Sequence, residues 1–563
     1  MFYKGIILDL DNTLYDYNFC HNKALSGVFY SLIQHNNTLN FQNLKCVYSK
    51  ISENLKVELN LTASSHNKNI YFKQLLEYLN IELYVLSQIN NLYWEIFYKN
   101  MTCFAGVKDF LAFNKKIGKK IGILTDYETE YQIAKLDKLG LFENIDVVVT
   151  SEEVGIEKPS EKMFHTILNK MNLSSCEVIM IGDNFDKDIK GAINNNIFSY
   201  WFNIAQKNTS CENYISFSSF TTLHLKFNEM REELVHLKNL SKYCGERFDL
   251  VQAGGGNSSV KVDDFMCIKS SGNNLANVDE NSGYVTVNNK ILMEDINNQS
   301  VKDILTYNII GEKRGSIETF MHSILKKYTI HLHPIQVNRV LVSTRAREIV
   351  KEIYPNSLII EYFTPGIKLC NQIKEMFNGE SVIFLLNHGL IITSDKVSEL
   401  YNLLDDVCGK FEYYQNIDFS RYRNTNVISR LINRLFNVDN LSYLCEDQVI
   451  NKYLNKNIEL FKKSIAFPDC LIYCGVRILL DIDEIEEYKK RYDEPPKVII
   501  DNKCIYICSH SITKCREIED VFKAHLIIMD SNFIPNYLSN DEVCFIKNWD
   551  AEKYRFEYDV TKI

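Results

Sequence analysis

Short apolar runs alternate with stretches of helical periodicity along the whole chain, the pattern of a layered α/β protein. In the N-terminal part, "GIILDLD", "KIGILTD", "NIDVVVTS" and "EVIMIGD" are almost wholly apolar and end in Asp, Thr or Ser. Such runs suit strands buried on both faces of a parallel sheet, which delivers polar groups at the carboxyl ends of its strands. Between the first and second runs, residues 18–102 carry aromatic and leucine side chains at helical spacing, as in "YFKQLLEYLNIELYVL", and predict an inserted helical cap. Residues 203–223 are polar and rich in Ser and Thr, and an amphipathic helix is predicted from about Phe227, so a domain boundary is expected near residue 225. A second α/β series follows over residues 226–440, and a third block, 441–563, contains "FPDCLIY" and "PPKVIIDNKCIYI". Within the second series, "KKYTIHLHPIQVNRVL" sets His331 and His333 on one face of a strand, because side chains two apart point the same way.

A chain of 563 residues is too long for one core, and roughly 150 residues per domain predicts three or four units. Apolar content of 46% and charged content of 24% are those of a globular protein. The net charge of −9 argues against a general nucleic-acid binder and favours small-molecule partners. The opening "MFYKGIILDLD" has no basic region and no small-residue cleavage site, and no stretch reaches the ~18 apolar residues of a membrane span, so a cytoplasmic location without membrane association is expected. The 16 cysteines are scattered singly through apolar runs and read as reduced core thiols.

Candidate chemistry begins at "GIILDLDNTLY", where Asp9 and Asp11 stand two apart at a strand end with Thr13 beyond. Neighbouring carboxylates repel, so such a pair points to a bound cation or to proton transfer, one carboxylate serving as nucleophile and the other as acid/base. Thr125 ends the second strand run, Lys158 lies in "GIEKPS", and "IGDNFDKD" supplies Gly182, Asp183 and Asp188. These residues, in this order over positions 1–205, resemble the four motifs of the haloacid dehalogenase superfamily. The resemblance implies a Rossmann-like core with a helical cap, Asp9 as the phosphorylated nucleophile and Asp11 as acid/base. It also implies Mg²⁺ held by Asp9, Asp183 and the Asp11 carbonyl, with Thr13, Thr125 and Lys158 on the phosphate.

A second constellation starts at "GSIETFMHSIL", where Glu318 and His322 are four apart on a predicted helix, and ends at "VIFLLNHGLIITSD", which supplies His388. Three neutral imidazoles, His331, His333 and His388, offer a site for Zn²⁺ or another divalent metal with a position left for substrate. Upstream, "AGGGNSSVK" and "IKSSGNNL" are Gly- and Ser-rich turns of the kind that cradle phosphate. Over residues 227–440 the combination resembles the class II aldolase/adducin family, and the tail resembles the extension of its larger rhamnulose-phosphate-aldolase-like members. An α/β/α domain followed by a smaller α/β extension is implied, with zinc on the three histidines and Glu318 as acid/base. A phosphate pocket from Asn257, Lys269, Ser271 and Gly272 is implied as well. The chain departs from the family at Ser316-Ile317, where small members carry two serines before the glutamate. His322 is expected to pack rather than to ligate. Together the halves predict a bifunctional enzyme of small phosphorylated sugars, a Mg²⁺-dependent phosphatase joined to a metal-dependent aldolase that forms a homo-oligomer through its aldolase-like half. The alternatives for the second half are a decarboxylase or 4-epimerase of sugar phosphates and a non-catalytic adducin-like scaffold.

Overall fold

The computed structural model describes residues 3–206, 214–310, 313–462, 465–492 and 494–548. The last residues of the tail, 549–563, therefore lie outside the described residues. Two compact units are present: one of Met1–Glu233 with Val285–Asn288 and Thr306–Lys313, the other of Leu234–Tyr284, Asn289–Leu305 and Arg314–Ile563. Among the described residues no helix is long and apolar enough to cross a membrane.

In the N-terminal unit, strands β1 (Gly5–Leu8), β2 (Lys120–Thr125), β3 (Val147–Thr150), β4 (Val178–Gly182), β5 (Phe198–Phe202) and β6 (Tyr214–Phe217) form one parallel sheet in the order β3-β2-β1-β4-β5-β6. Every residue of β1 and β4 is buried, which is why their sequences are continuous apolar runs rather than alternating ones. The order places the carboxyl ends of β1, β2 and β4 side by side at the centre of the sheet, where this topology opens a crevice.

Four helices, Tyr17–His35, Phe41–Glu58, Lys68–Tyr78 and Leu86–Lys99, fill the segment between β1 and the helix that precedes β2. Their starts are chemically marked: the Asp16, Asn40 and Asn67 side chains each accept from backbone N–H groups of the first turn. An aromatic core of Phe29, Tyr48, Phe72, Tyr93 and Phe97 holds them together, with adjacent ring centroids 5.5–5.9 Å apart. Trp94 of this cap stacks on Tyr131 of the core helix Thr129–Leu139, centroids 4.3 Å apart at 14°. A helix spans Phe220–Gly245, so position 225 falls inside it rather than in a linker. It starts earlier than the expected Phe227 because Phe220 and Leu223 are themselves buried apolar residues, Phe220 against Phe110 and Phe202.

The second sheet has eight strands, β7 (Asn257–Val262), β8 (Phe265–Lys269), β9 (Tyr284–Asn288), β10 (Asn308–Ile310), β11 (Tyr328–Leu332), β12 (Leu358–Ile360), β13 (Val382–Leu385) and β14 (Gly389–Ser394), in the order β10-β9-β8-β7-β11-β14-β13-β12. Strand β11 lies between β7 and β14, antiparallel to both, with His331 opposite Asn257 on one side and Ile391 on the other. A third sheet, ordered β15-β17-β16 from β15 (Leu441–Cys445), β16 (Val498–Asp501) and β17 (Cys504–Ser509), packs on the helices Pro468–Cys474 and Ile512–Met529 over its own apolar core. Cysteines of the described residues are free thiols, most of them buried in these cores.

Candidate active sites

At the central crevice of the first sheet, Asp9 follows β1, Thr125 ends β2 and Asp183 follows β4, so three strand ends converge on one point. Lys158 Nζ donates to Asp9 Oδ1 at 2.6 Å and to Asp188 Oδ1 at 2.7 Å, all three side chains buried. Thr13 Oγ1 donates to Asp9 Oδ2 at 3.0 Å and accepts from the Asp183 N–H at 3.0 Å. Gly182 leaves room for Asp188, since a Cβ there would lie 2.4 Å from the Asp188 carboxylate. Burial pushes the Asp9 carboxyl well above the usual carboxylate range against the pull of Lys158, and Asp188 and Asp183 repel it further. Asp183 is pushed up to about 7, by burial first and then by Asp188.

Asp11 stands apart from that cluster. Burial works against its charge, but the Lys135 ammonium at 2.8 and 2.9 Å, Tyr15 and Gln132 hold it below the ordinary carboxylate value. Gln132 Nε2 also donates to Thr125 Oγ1 at 2.5 Å, so Thr125 is positioned from the same helix. Lys135 and Gln132 were not singled out in the sequence, where they read as polar positions of an amphipathic helix. Both are fully buried, and that burial is the sign of a task which periodicity alone cannot show.

The second site lies where β11 and β14 meet. His331 Nε2 is 3.1 Å from His333 Nε2, and the ligand atoms of His331, His333 and His388 all lie within 4.8 Å of one another. His388 is brought in by the tight β13–β14 connection, in which Asn387 takes a left-handed φ of 56°. Gly389 follows without a side chain, because a Cβ there would lie 2.6 Å from the Leu332 carbonyl oxygen and 2.8 Å from the His333 ring. Glu318 Oε1 stands 3.3 Å from His331 Nε2 and 3.5 Å from His388 Nε2. Glu318 is the N-cap of the helix Thr319–Ile324 rather than a residue within it. His322, on that helix, is buried and its Nδ1 pairs with Ser259 Oγ at 2.7 Å, away from the three histidines' shared space.

Of the residues expected around a phosphate, Asn257 is directed to Glu318: its Nδ2 donates to Glu318 Oε2 and to Ser316 Oγ. This follows from register, since Asn257 lies directly across from His331 and shares its face. Lys269 is buried at the end of β8, with Nζ on the carbonyls of Asn273 at 2.8 Å and Gly254 at 3.3 Å. Ser271 and Gly272 form the turn after β8, Gly272 at a φ of 78° with open space around it, while Ser270 bridges to Gly315 beside Ser316.

Both clusters suit metal ions. Asp9, Asp183 and Asp188 bring carboxylate oxygens within 4.8 Å of one another, a repulsion that an oxygen-preferring cation such as Mg²⁺ relieves. Burial pushes His331 down to about 3 and lowers His333 also, so these imidazoles are neutral and offer lone pairs. Two neutral nitrogens 3.1 Å apart, facing a carboxylate, are suited to sharing a divalent ion.

Comparison with known proteins agrees with this division. Residues 3–196 match the family model of haloacid dehalogenase-like hydrolases, and residues 238–408 match that of the Class II Aldolase and Adducin N-terminal domain. The chain is 31% identical over 195 residues to the ribulose-1,5-bisphosphate 5-phosphatase of Halopiger xanaduensis, covering 33% of this chain and 80% of that protein. It is 27% identical over 197 residues to the glyceraldehyde 3-phosphate phosphatase of Methanocaldococcus jannaschii, covering 34% of this chain and 80% of that protein. A solved N-terminal class II aldolase domain from Thermoplasma acidophilum aligns with 32% of this chain and 92% of its own at 24% identity and a TM-score of 0.30. The chain therefore belongs to the haloacid dehalogenase-like hydrolases through residues 3–196, while residues 238–408 match the model of the Class II Aldolase and Adducin N-terminal domain.

Proposed function

We propose that the chain is a bifunctional sugar-phosphate enzyme, a Mg²⁺-dependent phosphatase in its first half and a metal-dependent aldolase in its second. The observation that carries the first activity is the buried Asp9–Lys158–Asp188 ion cluster with Thr13 and Asp183 at one convergence of strand ends. An Asp9 oxygen attacks phosphorus, the bond to the leaving alkoxide breaks, and the alkoxide takes a proton from Asp11. Water, giving its proton to Asp11, then cleaves the acyl phosphate and restores Asp9. In the resting arrangement Asp11 is a carboxylate bound to Lys135, so donation to the leaving group requires that it first take up a proton as that contact loosens. Lys158 and Thr125 offset charge on the phosphoryl oxygens. Mg²⁺ bound at Asp9 and Asp183 would supply further charge screening.

In the second half, Glu318 is the group that moves a proton at the carbon that becomes nucleophilic, and Asn257 fixes its carboxylate by holding one oxygen. A divalent ion on His331, His333 and His388 would polarise the substrate carbonyl. Relatives act on ribulose 1,5-bisphosphate and glyceraldehyde 3-phosphate, which supports small phosphorylated sugars as the substrate class. Removal of a phosphate from an aldol product would draw a reversible condensation forward. The test is product analysis of the purified chain with ketose phosphates: aldehyde and ketone fragments, or their condensation, together with released phosphate support the reading. Loss of CO₂ or inversion at one carbon would assign the second half to decarboxylation or epimerisation, and inertness with a bound metal would assign it to a scaffold.

A further inference from the structure

Above Asp9 the cap encloses a cavity of ≈ 450 Å³, large enough for a sugar phosphate. Each lysine of its floor has a carboxylate partner: Lys158 serves Asp9 and Asp188, Lys187 serves Asp126 and Glu157, and Lys135 serves Asp11. The lysines of its roof differ. Lys68, buried at the start of a cap helix, has its Nζ on the His66 carbonyl at 3.0 Å and over the rings of Tyr71 and Tyr127, with no carboxylate in ion-pair contact among the described residues. Lys56 lines the same cavity, likewise without a carboxylate in contact among them. Among the described residues three further buried polar atoms of its lining, the Tyr48 and Tyr127 hydroxyls and Trp94 Nε1, have no hydrogen-bond partner.

Buried donors without acceptors carry a desolvation penalty, and two ammonium groups without a carboxylate, beside such donors, are complemented by an anion. We infer that the roof of this cavity is a subsite for a second anionic group, a phosphate or a carboxylate, on the substrate whose phosphate ester sits at Asp9. Lys68 and Lys56 pair with that group, and Tyr48 and Trp94 donate to it. Burial, and after it the neighbouring Lys135 and Lys56, hold the Lys68 ammonium down to about 7, a strain that a bound anion removes. The inference rests on the phosphatase reading above and narrows it to substrates charged at both ends.

The experiment compares matched esters on the full chain with Mg²⁺: fructose 6-phosphate against fructose 1,6-bisphosphate, and glyceraldehyde 3-phosphate against 3-phosphoglycerate, with p-nitrophenyl phosphate as a singly charged control. The doubly charged member of at least one pair is expected to show a kcat/KM about tenfold higher or more, a difference of roughly 1.4 kcal/mol. A preference confined to the first pair assigns the subsite to phosphate, and one confined to the second assigns it to carboxylate. In Lys68→Met that preference should fall to within about threefold, with the loss falling mainly on the doubly charged ester. Lys56→Met, at an exposed side chain, should halve it or more, which keeps the test decisive should Lys68→Met fail to fold. Hydrolysis of p-nitrophenyl phosphate with no preference in either pair would overturn the subsite alone. An equal loss on both members in both variants would do the same. Inertness toward every ester would overturn the phosphatase reading and the subsite with it.

Discussion

Among the described residues Lys158 is the one cation bonded to Asp9 and Asp188, and it opposes the burial that raises the Asp9 carboxyl. Asp9→Asn is expected to lower phosphate release by at least ~10³-fold with the fold intact, because a carboxamide cannot accept the phosphoryl group. Phosphate assays beside a thermal melt measure both, and turnover within tenfold of the parent chain would remove Asp9 from the nucleophile's role. At the second site, Gly389→Ala should weaken metal retention, since its methyl group must displace either the Leu332 carbonyl or the His333 ring. Equilibrium dialysis followed by metal analysis reads this directly, and an unchanged affinity would show that the β11–β14 junction gives way freely. Glu318→Gln should keep the metal and lose carbon–carbon chemistry, a separation that full activity in the variant would refute. Asp9, Lys158 and the three histidines were legible because their types and strand-end positions carry meaning without a partner. Lys135, Gln132 and Lys68 were not, because a lysine or glutamine on a helix reads as solvated until the tertiary structure buries it.

Strands are where periodicity was most informative: "GIILDLD" and "EVIMIGD" announce parallel neighbours because both faces are covered. Helix starts were less legible. The helix Phe220–Gly245 begins within a Ser/Thr-rich stretch because two buried apolar side chains outweigh the local preference for a turn. Near the end of this helix, Glu246 is buried with one oxygen accepting from Ser429 Oγ at 2.7 Å and the Ser442 N–H at 3.3 Å. Burial pushes its carboxyl up to about 8 from an ordinary 4.5. A raised carboxyl binds its proton more tightly when folded, so stability should decline as the pH rises from about 4.5 to about 8 and change little from this group above that. Glu246→Gln, which keeps an acceptor oxygen and carries no charge, is expected to melt near the parent at pH 5 and several degrees above it at pH 8. A constant gap across a pH series of melts would mean that Glu246 ionises as freely in the fold as outside it.

At the scale of the whole molecule, two site architectures stand in separate units, each with its ligands drawn from its own sheet. Asp9→Asn and His333→Ala should therefore each silence one activity and leave the other within about twofold. Loss of both from either substitution would show that the sites are energetically coupled. The stack of Trp94 on Tyr131, which joins cap to core, has an optical consequence. Tryptophan emission reports the polarity around the indole, and Trp94 is 6% exposed. Trp201, whose Nε1 donates to the Asp183 carbonyl, and Trp549 are the other two indoles in the chain. With both replaced by phenylalanine, emission would arise from Trp94 alone. Any motion that lifts the cap from the core wets that ring and moves its spectrum to the red, so the admission of a substrate could be followed in real time by light, without a label.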